Sequence, residues 1–416
     1  MTKKSDAPAI RFKGFSDAWE QRKLEDYLTV SAEKNTGNIY GRSDVLSVSG
    51  DYGIVNQIEF QGRSFAGASV SNYGVVQTGD VVYTKSPLNS NPYGIIKTNK
   101  GKPGIVSTLY AVYHPKENAF SDFIQVYFEQ HARMNNYMHP LVNKGAKNDM
   151  KVSAENALKG PVCFPSRIEQ ESISAFFSVL DNLITLHQRK FEKLTNVKKS
   201  MLEKMFPQNG SSYPIIRFKG FTDPWEQRKL GELVDRVVRK NTNNESTLPL
   251  TISAQYGLVD QITYFNNRVA SRDVSNYYLV LNGEFAYNKS TSDGYPFGAV
   301  KRLDLYEKGV LSTLYIVFTP KKEQQINSDF LTVFFDTDRW HTGGAERAAE
   351  GARNHGLLNI SAEDFFDIDL SVPKDVAEQK QIGVFIRQLD NLITLHQREL
   401  EKLQNIKKSM LEKMFV

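Results

Sequence analysis

The chain of 416 residues is poor in the residues that disulfide-linked and membrane proteins need. Its one cysteine, Cys163, excludes an internal disulfide framework and a cysteine-based metal cluster. No apolar run approaches the roughly 18 residues of a membrane span. Residues Met1 to Pro8 carry two lysines with no apolar stretch behind them, which does not fit a secretory signal. These absences predict a cytoplasmic protein without a membrane partner.

The sequence also lacks the short motifs that mark common catalytic sites. It has no Gly-x-x-x-x-Gly-Lys-Ser/Thr phosphate loop, no glycine-rich dinucleotide turn, no His-Glu-x-x-His and no Gly-x-Ser-x-Gly. Segments of the Asn-Pro-Pro-Phe type, with which adenine methyltransferases hold a flipped base, are absent too. We therefore expect that this chain is not an enzyme by itself and uses no cofactor or metal.

Charge of either sign is not in large excess. The formal net charge is +5, from 52 Lys and Arg against 47 Asp and Glu. This balance permits a nucleic-acid partner but does not require one. A protein that holds DNA alone usually has a denser basic stripe, because each neutralised phosphate releases counterions and adds affinity. If DNA is the ligand, other subunits are expected to help hold its backbone.

What the chain does have is an internal duplication. Ile10–Leu24 returns as Ile216–Leu230, and Leu180–Phe206 returns as Leu389–Phe415 with 23 of 27 positions unchanged. Most of the sequence between these blocks has diverged. The length suits two domains, each able to bury its own core. A repeated frame around diverged interiors predicts one scaffold that holds two recognition surfaces with different specificities.

The diverged interiors have the composition of β-strands. Valines and a tyrosine flank the turn at Gly79-Asp80, and β-branched and aromatic residues fill 106–113. Each interior is therefore predicted to be a mixed α/β module with a curved sheet. Loops rich in turn residues join the strands, and such loops on a rigid scaffold commonly carry recognition.

Two long helices are predicted at 168–206 and 377–415. Apolar residues recur there in alternating steps of four and three, as at Ile173, Phe177 and Leu180, and the second copy keeps the same register. A helix of this length cannot bury its apolar stripe alone. We expect the two helices to pair antiparallel within one chain, with the modules related by an approximate two-fold axis. Parallel pairing between two chains is the alternative.

Four polar residues interrupt the apolar stripes, and two tryptophans stand out in the opening blocks. His187 and His396 have no cluster of further ligands nearby in the sequence, so we interpret them as polar residues that set helix register, not as catalytic or metal-binding groups. One lysine also interrupts each stripe, at Lys198 in the first copy. Trp19 and Trp225 are expected to anchor the blocks to their modules, with base stacking as the alternative.

The duplicated pattern resembles the specificity subunit of a type I restriction-modification system. The segments that carry the resemblance are Lys-Gly-Phe-x-x-x-Trp-Glu at 13–20 and 219–226, the exit segments at 164–170 and 372–379, and Leu-Asp-Asn-Leu-Ile at 180–184 and 389–393. The resemblance covers essentially the whole chain. No single motif is specific to the family, but the order of the duplicated motifs is.

The resemblance implies an α+β fold of two mixed α/β target-recognition domains, separated by a long antiparallel two-helix coiled coil, with pseudo-two-fold symmetry. The implied limits are 10–166 for the first target-recognition domain, 167–207 for the first spacer helix, 208–215 for a linker, 216–372 for the second target-recognition domain and 373–416 for the second spacer helix.

The function implied by the resemblance is DNA binding that directs other subunits. Each domain would read one half of an asymmetric bipartite target in double-stranded DNA. Two adenine methyltransferase subunits would dock on the conserved regions, and restriction subunits with ATP-dependent translocation would add cleavage. One alternative is a related system in which methylation and cleavage are fused in one partner chain. The other is a coiled-coil scaffold whose two modules bind proteins and not DNA.

Two pairs of segments are predicted to contact DNA. The Tyr-x-Lys-Ser segments place a lysine and a hydroxyl at a strand exit, although a solvated strand end explains them equally well. In the Gly-Ala-Lys/Arg-Asn segments, the small residues permit close approach and the following side chains can donate to guanine or adenine edges, with a structural turn as the alternative. The candidate DNA-binding residues are Tyr83, Lys85, Ser86, Lys144, Lys147, Asn148, Tyr287, Lys289, Ser290, Arg353 and Asn354.

Overall fold

The protein has two compact units in its computed structural model. Unit 1 comprises Met1–Gln188 and Arg398–Val416, and unit 2 comprises Arg189–Gln397. The residues that the structure describes are 7–86, 91–144, 150–208, 210–253, 256–290, 295–323, 325–341, 358 and 360–416. Each unit contains one diverged module and a segment of each long helix. The two units are thus a different division of the chain from the predicted domains, whose limits stay a prediction.

The α-helices of the described residues are mostly short, except for two of 38 residues each. They are α1 (Gln57–Gln61), α2 (Ser121–Glu129), α3 (His131–Met138), α4 (Arg167–Lys204), α5 (Leu230–Leu233), α6 (Gln261–Phe265), α7 (Ser328–Phe335), α8 (Ala362–Phe366) and α9 (Val376–Lys413). Within the described parts of the chain, none of the helices is long and apolar enough to cross a membrane.

The module of unit 1 is built on a four-stranded antiparallel sheet in the order β2-β9-β6-β7. Its strands are β1 (Glu20–Lys23), β2 (Leu28–Val30), β3 (Leu46–Ser49), β4 (Gly53–Asn56), β5 (Gly74–Val76), β6 (Val81–Thr84), β7 (Ile96–Thr98), β8 (Gly104–Val106), β9 (Tyr110–Pro115), β10 (Asn143–Lys144), β11 (Met150–Lys151) and β12 (Pro161–Phe164). The pairs β1-β12, β3-β4, β5-β8 and β10-β11 surround it. All four residues of β6 are buried, as expected for a strand at the centre of a covered sheet.

The module of unit 2 repeats this plan with the order β14-β21-β18-β19. Its strands are β13 (Glu226–Lys229), β14 (Val234–Val237), β15 (Leu250–Ser253), β16 (Gly257–Asp260), β17 (Tyr278–Leu281), β18 (Phe285–Asn288), β19 (Ala299–Arg302), β20 (Lys308–Leu311), β21 (Ile316–Pro320) and β22 (Asp369–Val372). The pairs β13-β22, β15-β16 and β17-β20 match their counterparts in unit 1. The sheet architecture has therefore survived the divergence of the sequence.

The two long helices form because their sequences hold almost no residue that breaks a helix. α4 lacks glycine and proline throughout, begins two residues after Pro165 and ends before Pro207. α9 contains only Gly383, where a Cβ atom would lie 2.7 Å from the Cβ of Asp329 in α7. The glycine is therefore explained by the close approach of the two helices.

In unit 1, the start of α4 packs against the end of α9. Phe177 and Phe415 have ring centroids 6.0 Å apart, and both belong to the core that also holds Trp19, Phe123 and Phe164. A nearby ion pair joins Asp181 to Lys407. From Phe177 to Asp181 the residue numbers rise along α4, whereas from Phe415, just beyond the end of α9, to Lys407 they fall. The pairing within unit 1 is therefore antiparallel.

In unit 2, the start of α9 packs against the end of α4. Phe206 shares a core with Ile382 and Ile386, and its ring lies 5.6 Å from Trp225 and 5.7 Å from Phe330. The predicted fold class is confirmed: the chain is an α+β protein with two mixed modules and long helices that pack antiparallel. Both opening-block tryptophans are buried, which is the anchoring role expected for them.

Candidate nucleic-acid interface

In unit 1, the strand exit predicted to contact DNA follows β6. Tyr83 is buried in the core, its hydroxyl donates to the carbonyl oxygen of Tyr93 at 2.8 Å, and burial raises its pKa above the usual value. Lys85 and Ser86 are half-buried. The backbone amide of Lys85 donates to the carbonyl of Leu109 at 3.0 Å. The exit is thus tied to the neighbouring chain, while its lysine and serine remain partly accessible.

The equivalent exit in unit 2 follows β18 and has the same plan. Tyr287 is buried, its hydroxyl donates to the carbonyl of Phe297 at 2.9 Å, and burial raises its pKa. The Lys289 ammonium group donates to the carbonyl of Ile360 at 3.4 Å. Ser290 is exposed. In both units, the strand exit therefore consists of a tyrosine buried in the core, followed along the chain by a lysine and a serine.

The prediction that Tyr83 and Tyr287 contact DNA needs correction, because a buried ring whose hydroxyl already donates to a carbonyl does not offer that hydroxyl to a ligand. Consecutive residues of β6 and of β18 are buried, so both faces of these strands are covered around the tyrosines. Gly94 reinforces the arrangement, since it has φ of 78° and a Cβ there would collide with the carbonyl of Thr84. We assign the tyrosines to the support of the exit.

The Gly-Ala-Lys/Arg-Asn segments fall largely outside the described residues. Lys144 ends β10, and its backbone pairs with that of Met150 in β11. Lys147 and Asn148 lie outside the described residues, and so do Arg353 and Asn354. DNA contact by these segments stays a prediction.

The structure brings each strand exit next to residues that follow a Gly-Ala segment in the sequence. In unit 2, the amide of Leu358 donates to the carbonyl of Lys289 at 3.0 Å. In unit 1, the pKa of Glu155 is lowered by hydrogen bonds from the backbone amide of Glu155 and from the Ser153 hydroxyl. The positive charge of Lys85 at the strand exit lowers this pKa further. Leu358, which follows the second Gly-Ala segment in the sequence, therefore lies next to the strand exit of unit 2. A common face formed by the exits and the Gly-Ala segments stays a prediction.

A network of ion pairs inside unit 2 was missed by the sequence analysis. Lys198 of α4 lies 2.6 Å from Asp390 of α9 and 3.3 Å from Asp336, while Lys301 of β19 lies 2.7 Å from Asp336. Burial disfavours the charge of Lys198, but the two carboxylates outweigh it and its pKa is raised. Burial of Asp336 is likewise outweighed by the two lysines, which lower its pKa. These ion pairs thereby connect β19, the C-terminal end of α7 and both long helices.

Unit 1 contains the same network with one change of residue. Lys407 of α9 lies 2.7 Å from Asp181 of α4 and 2.9 Å from Glu129, and Lys97 of β7 lies 3.5 Å from Glu129. Lys407 and Asp181 stand at the positions equivalent to Lys198 and Asp390. The lysine that interrupts each apolar stripe is therefore the ion-pair partner of the facing helix and of the module.

The opening blocks are fixed to the long helices by a second retained pair. Arg11 makes two charge-assisted hydrogen bonds of 2.7 Å to Glu169, and Arg217 makes bonds of 2.7 and 2.8 Å to Glu378. Both glutamates are buried. Because the arginines and glutamates lie in the motifs that the sequence repeats, their pairing was detectable in principle. The geometry fixes each block as part of the scaffold.

Two open grooves lie on the long helices and have the same lining. The groove on α4 has a volume of about 500 Å³ and that on α9 about 530 Å³. The lining residues are Arg189, Glu192, Lys193, Asn196, Val197, Ser200 and Met201 in the first, and Arg398, Glu401, Lys402, Asn405, Ile406, Ser409 and Met410 in the second. Only Val197 and Ile406 differ, so each unit presents nearly the same groove.

The histidines of the helical stripes are half-buried. Across the described part of the chain, no group of three or more His, Cys, Asp or Glu side chains is placed to hold a metal ion. The register-setting role of His187 and His396 stays a prediction.

Comparison with known proteins relates the chain to one family. Residues 222–405 match the type I restriction modification DNA specificity domain. A Methanocaldococcus jannaschii protein, named as the MjaX specificity subunit of a type I restriction enzyme, is 23% identical in an alignment 225 residues long that covers 51% of this chain and 52% of that protein. The chain thus spans about half the length of this relative.

Two solved structures extend the comparison. The S subunit of a type I restriction-modification system from M. genitalium matches over 99% of both chains, with a TM-score of 0.60 and 12% identity. The HsdS subunit from Thermoanaerobacter tengcongensis matches over 95% of this chain and 96% of its own, with a TM-score of 0.42 and 15% identity. At such identities, the first match shows a shared fold.

Proposed function

We propose, from the premise that this chain belongs to the family of type I restriction-modification specificity subunits, that it binds an asymmetric bipartite DNA sequence and positions the other subunits on it. Each module reads one half of the target, and an unread spacer separates the halves. The chain itself is not catalytic in this proposal. Methylation and cleavage belong to its partners.

One observation carries the proposal: the scaffold is retained between the two halves, while the modules on it have diverged. The sheet order, the opening block, the paired helices and the ion-pair networks are the same in both units. The tyrosine, lysine and serine of each strand exit are retained, but the loop sequence that follows differs, at 87–93 in the first copy and 291–297 in the second. A scaffold that is repeated nearly unchanged, with different loops on its modules, fits a protein that holds two unlike DNA half-sites in the same geometry.

The repeated helix grooves support two copies of a single partner. Arg189, Lys193 and Asn196 line one groove, and the same residue types line the other. Lys193 is exposed, so packing within the chain does not explain why its residue type is unchanged in the second copy. Two nearly identical surfaces suit two copies of one protein. We assign these grooves to adenine methyltransferase subunits, and restriction subunits join the complex through further contacts.

The strand-exit faces are the proposed DNA contacts. Lys85 and Ser86 in unit 1, and Lys289 and Ser290 in unit 2, offer donors for phosphates or base edges. The predicted Gly-Ala segments would complete each face. The net charge of +5 is small for a protein that holds long DNA alone, so the partner subunits supply further phosphate contacts.

The test is DNA binding and methylation by the complex of this chain with its methyltransferase subunit. Mapping methylated adenines in the genome of a strain that carries the complex should give one asymmetric sequence with two specified halves. A duplex with that sequence should bind more tightly than one with either half scrambled, and affinity should fall as salt rises. Equal binding to all three duplexes would contradict target recognition.

A further inference from the structure

Each module carries an element that the proposed reading of DNA does not use. We call it the hairpin-helix element: residues 46–61 in unit 1, formed by β3, β4 and α1, and the described residues 250–253 and 256–265 in unit 2, formed by β15, β16 and α6. Asn56 caps α1 by accepting from the amides of Ile58 and Glu59, and Asp260 caps α6 by accepting from that of Ile262. The short helix of each element therefore has a capped N-terminus.

Both elements expose large apolar side chains. In unit 1, Tyr52 is 69% exposed and Phe60 is 44% exposed, and their ring centroids lie 5.2 Å apart. In unit 2, the equivalent Tyr256 and Tyr264 are 53% and 48% exposed, and Phe265 stacks its edge on Tyr264 at 5.0 Å. Ile58 is also exposed. Clustered aromatic residues on a surface are typical of a binding site.

The charge of these elements distinguishes a protein partner from DNA. Residues 46–61 include Asp51 and Glu59 but no Lys, Arg or His, and residues 250–265 include Asp260 and likewise no basic residue. A surface that binds the phosphate backbone needs cations, and acidic groups there are repelled. An aromatic patch without cations instead matches the core of a protein interface. The complementary surface should be apolar with a basic rim.

The two elements keep their exposed rings and the half-buried Ser49 and Gln57, which return as Ser253 and Gln261, while the acidic residues of the first copy have changed. Tyrosine is retained at 52 and 256, isoleucine at 58 and 262, and an aromatic ring at 60 and 264, whereas Glu59 becomes Thr263. Elements that read different bases would be free to change these rings. Their retention indicates that both elements meet the same partner.

We propose that each hairpin-helix element is a docking site for one methyltransferase subunit, additional to the helix groove. This inference rests on the proposed function. A partner held only at a helix groove could pivot about that contact, whereas its active site must reach the half-site that the module reads. A second contact, on the module itself, fixes that orientation.

The test compares binding of the purified methyltransferase subunit by variants of the full chain. Tyr52→Ala with Phe60→Ala removes the rings of unit 1, and Tyr256→Ala with Tyr264→Ala removes those of unit 2. Each pair should weaken binding of one methyltransferase copy by at least about tenfold, as truncation of aromatic interface residues does. Ile39→Ala is the matched control, because Ile39 is 85% exposed in unit 1 but lies outside the element. Thermal unfolding checks that the variants fold.

Each alternative occupant gives a different result. If methyltransferase binding is unchanged but the assembled complex loses DNA affinity, the elements contact DNA and the inference is overturned. It is overturned equally if the ring substitutions abolish self-association of the chain, or if they change nothing. Failure of the wild-type chain to bind the methyltransferase at all would overturn the proposed function as well, so the two failures are distinguishable.

Discussion

Replacing Lys198 with methionine should loosen unit 2 and leave unit 1 intact. The substitution keeps most of the aliphatic stem but removes the ammonium group that bridges Asp336 and Asp390. Loss of one partner from a buried ion pair costs about 3–5 kcal/mol. Here the cost is lower, because Asp336 keeps its bond to Lys301 and Asp390 is 42% exposed. We expect a loss of about 2 kcal/mol in the stability of unit 2.

Hydrogen exchange of the full chain measures this effect for each unit separately. A loss of about 2 kcal/mol corresponds to roughly 30-fold faster exchange of the protected amides in unit 2. The matched variant is Lys407→Met, which should speed exchange in unit 1, where Glu129 keeps its weaker contact with Lys97 at 3.5 Å. Equal effects of Lys198→Met on both units, or none on unit 2, would refute the reasoning.

The pKa shifts of Lys198 and Asp336 predict how the stability effect of Lys198→Met depends on pH. The pKa of Lys198 is raised from 10.5, so its contribution is complete below that pH and is lost as pH rises through the folded-state value. The pKa of Asp336 is lowered from 3.8, so its contribution is present above that pH and is lost on acidification through the folded-state value. The difference in stability between Lys198→Met and wild type should therefore be constant near neutrality and narrow both at alkaline pH and on acidification through the folded-state pKa of Asp336.

Three further predictions concern the proposed function. Replacing residues 25–160 with those of a related subunit should change one half of the methylated sequence, and a change of both halves would contradict independent reading. Lys147→Glu and Arg353→Glu should each weaken DNA binding by the complex by about 1–3 kcal/mol without loss of partner subunits; unchanged affinity would indicate structural turns. Insertion of four residues after Gln188, before the groove residues of α4, should add about 6 Å of helix and lengthen the methylated target's spacer by about one to two base pairs, and an unchanged spacer in an active complex would exclude the helix as its ruler.

The long helices were predictable because their signal is local. A stripe that repeats over 38 residues without a helix breaker determines both structure and buried face, and α4 and α9 follow it closely. The interruption at Lys198 was visible too. Its partners were not, because Asp336 is distant in the sequence and belongs to the diverged module. Ion pairs that depend on the packing of a sheet against a helix produce no periodic pattern in the sequence.

The candidate DNA contacts were predicted less well, since residue type alone does not tell which side of a strand faces the core. Tyr83 has a polar group suited to recognition, yet its place in a doubly covered strand sends it inward, while Lys85 stays accessible. Exposed rings such as Tyr52 were not predicted as surface residues, because an aromatic residue in a β-rich module is as compatible with the core as with the surface. A tyrosine beside a glycine in a β-rich module suggests a turn or a core position equally, and only its environment distinguishes them.

The order in which the chain is synthesised has a consequence for unit 1. Its core contains Leu411 and Phe415, which emerge from the ribosome more than 200 residues after Leu180, another member of that core. At about 5–20 residues per second, the wait is on the order of 10–40 s. Unit 2 is continuous in sequence, from Arg189 to Gln397, and meets no such delay. The half that is translated first is therefore completed last, and a nascent chain cut short in its second copy would leave the first module with an open hydrophobic core.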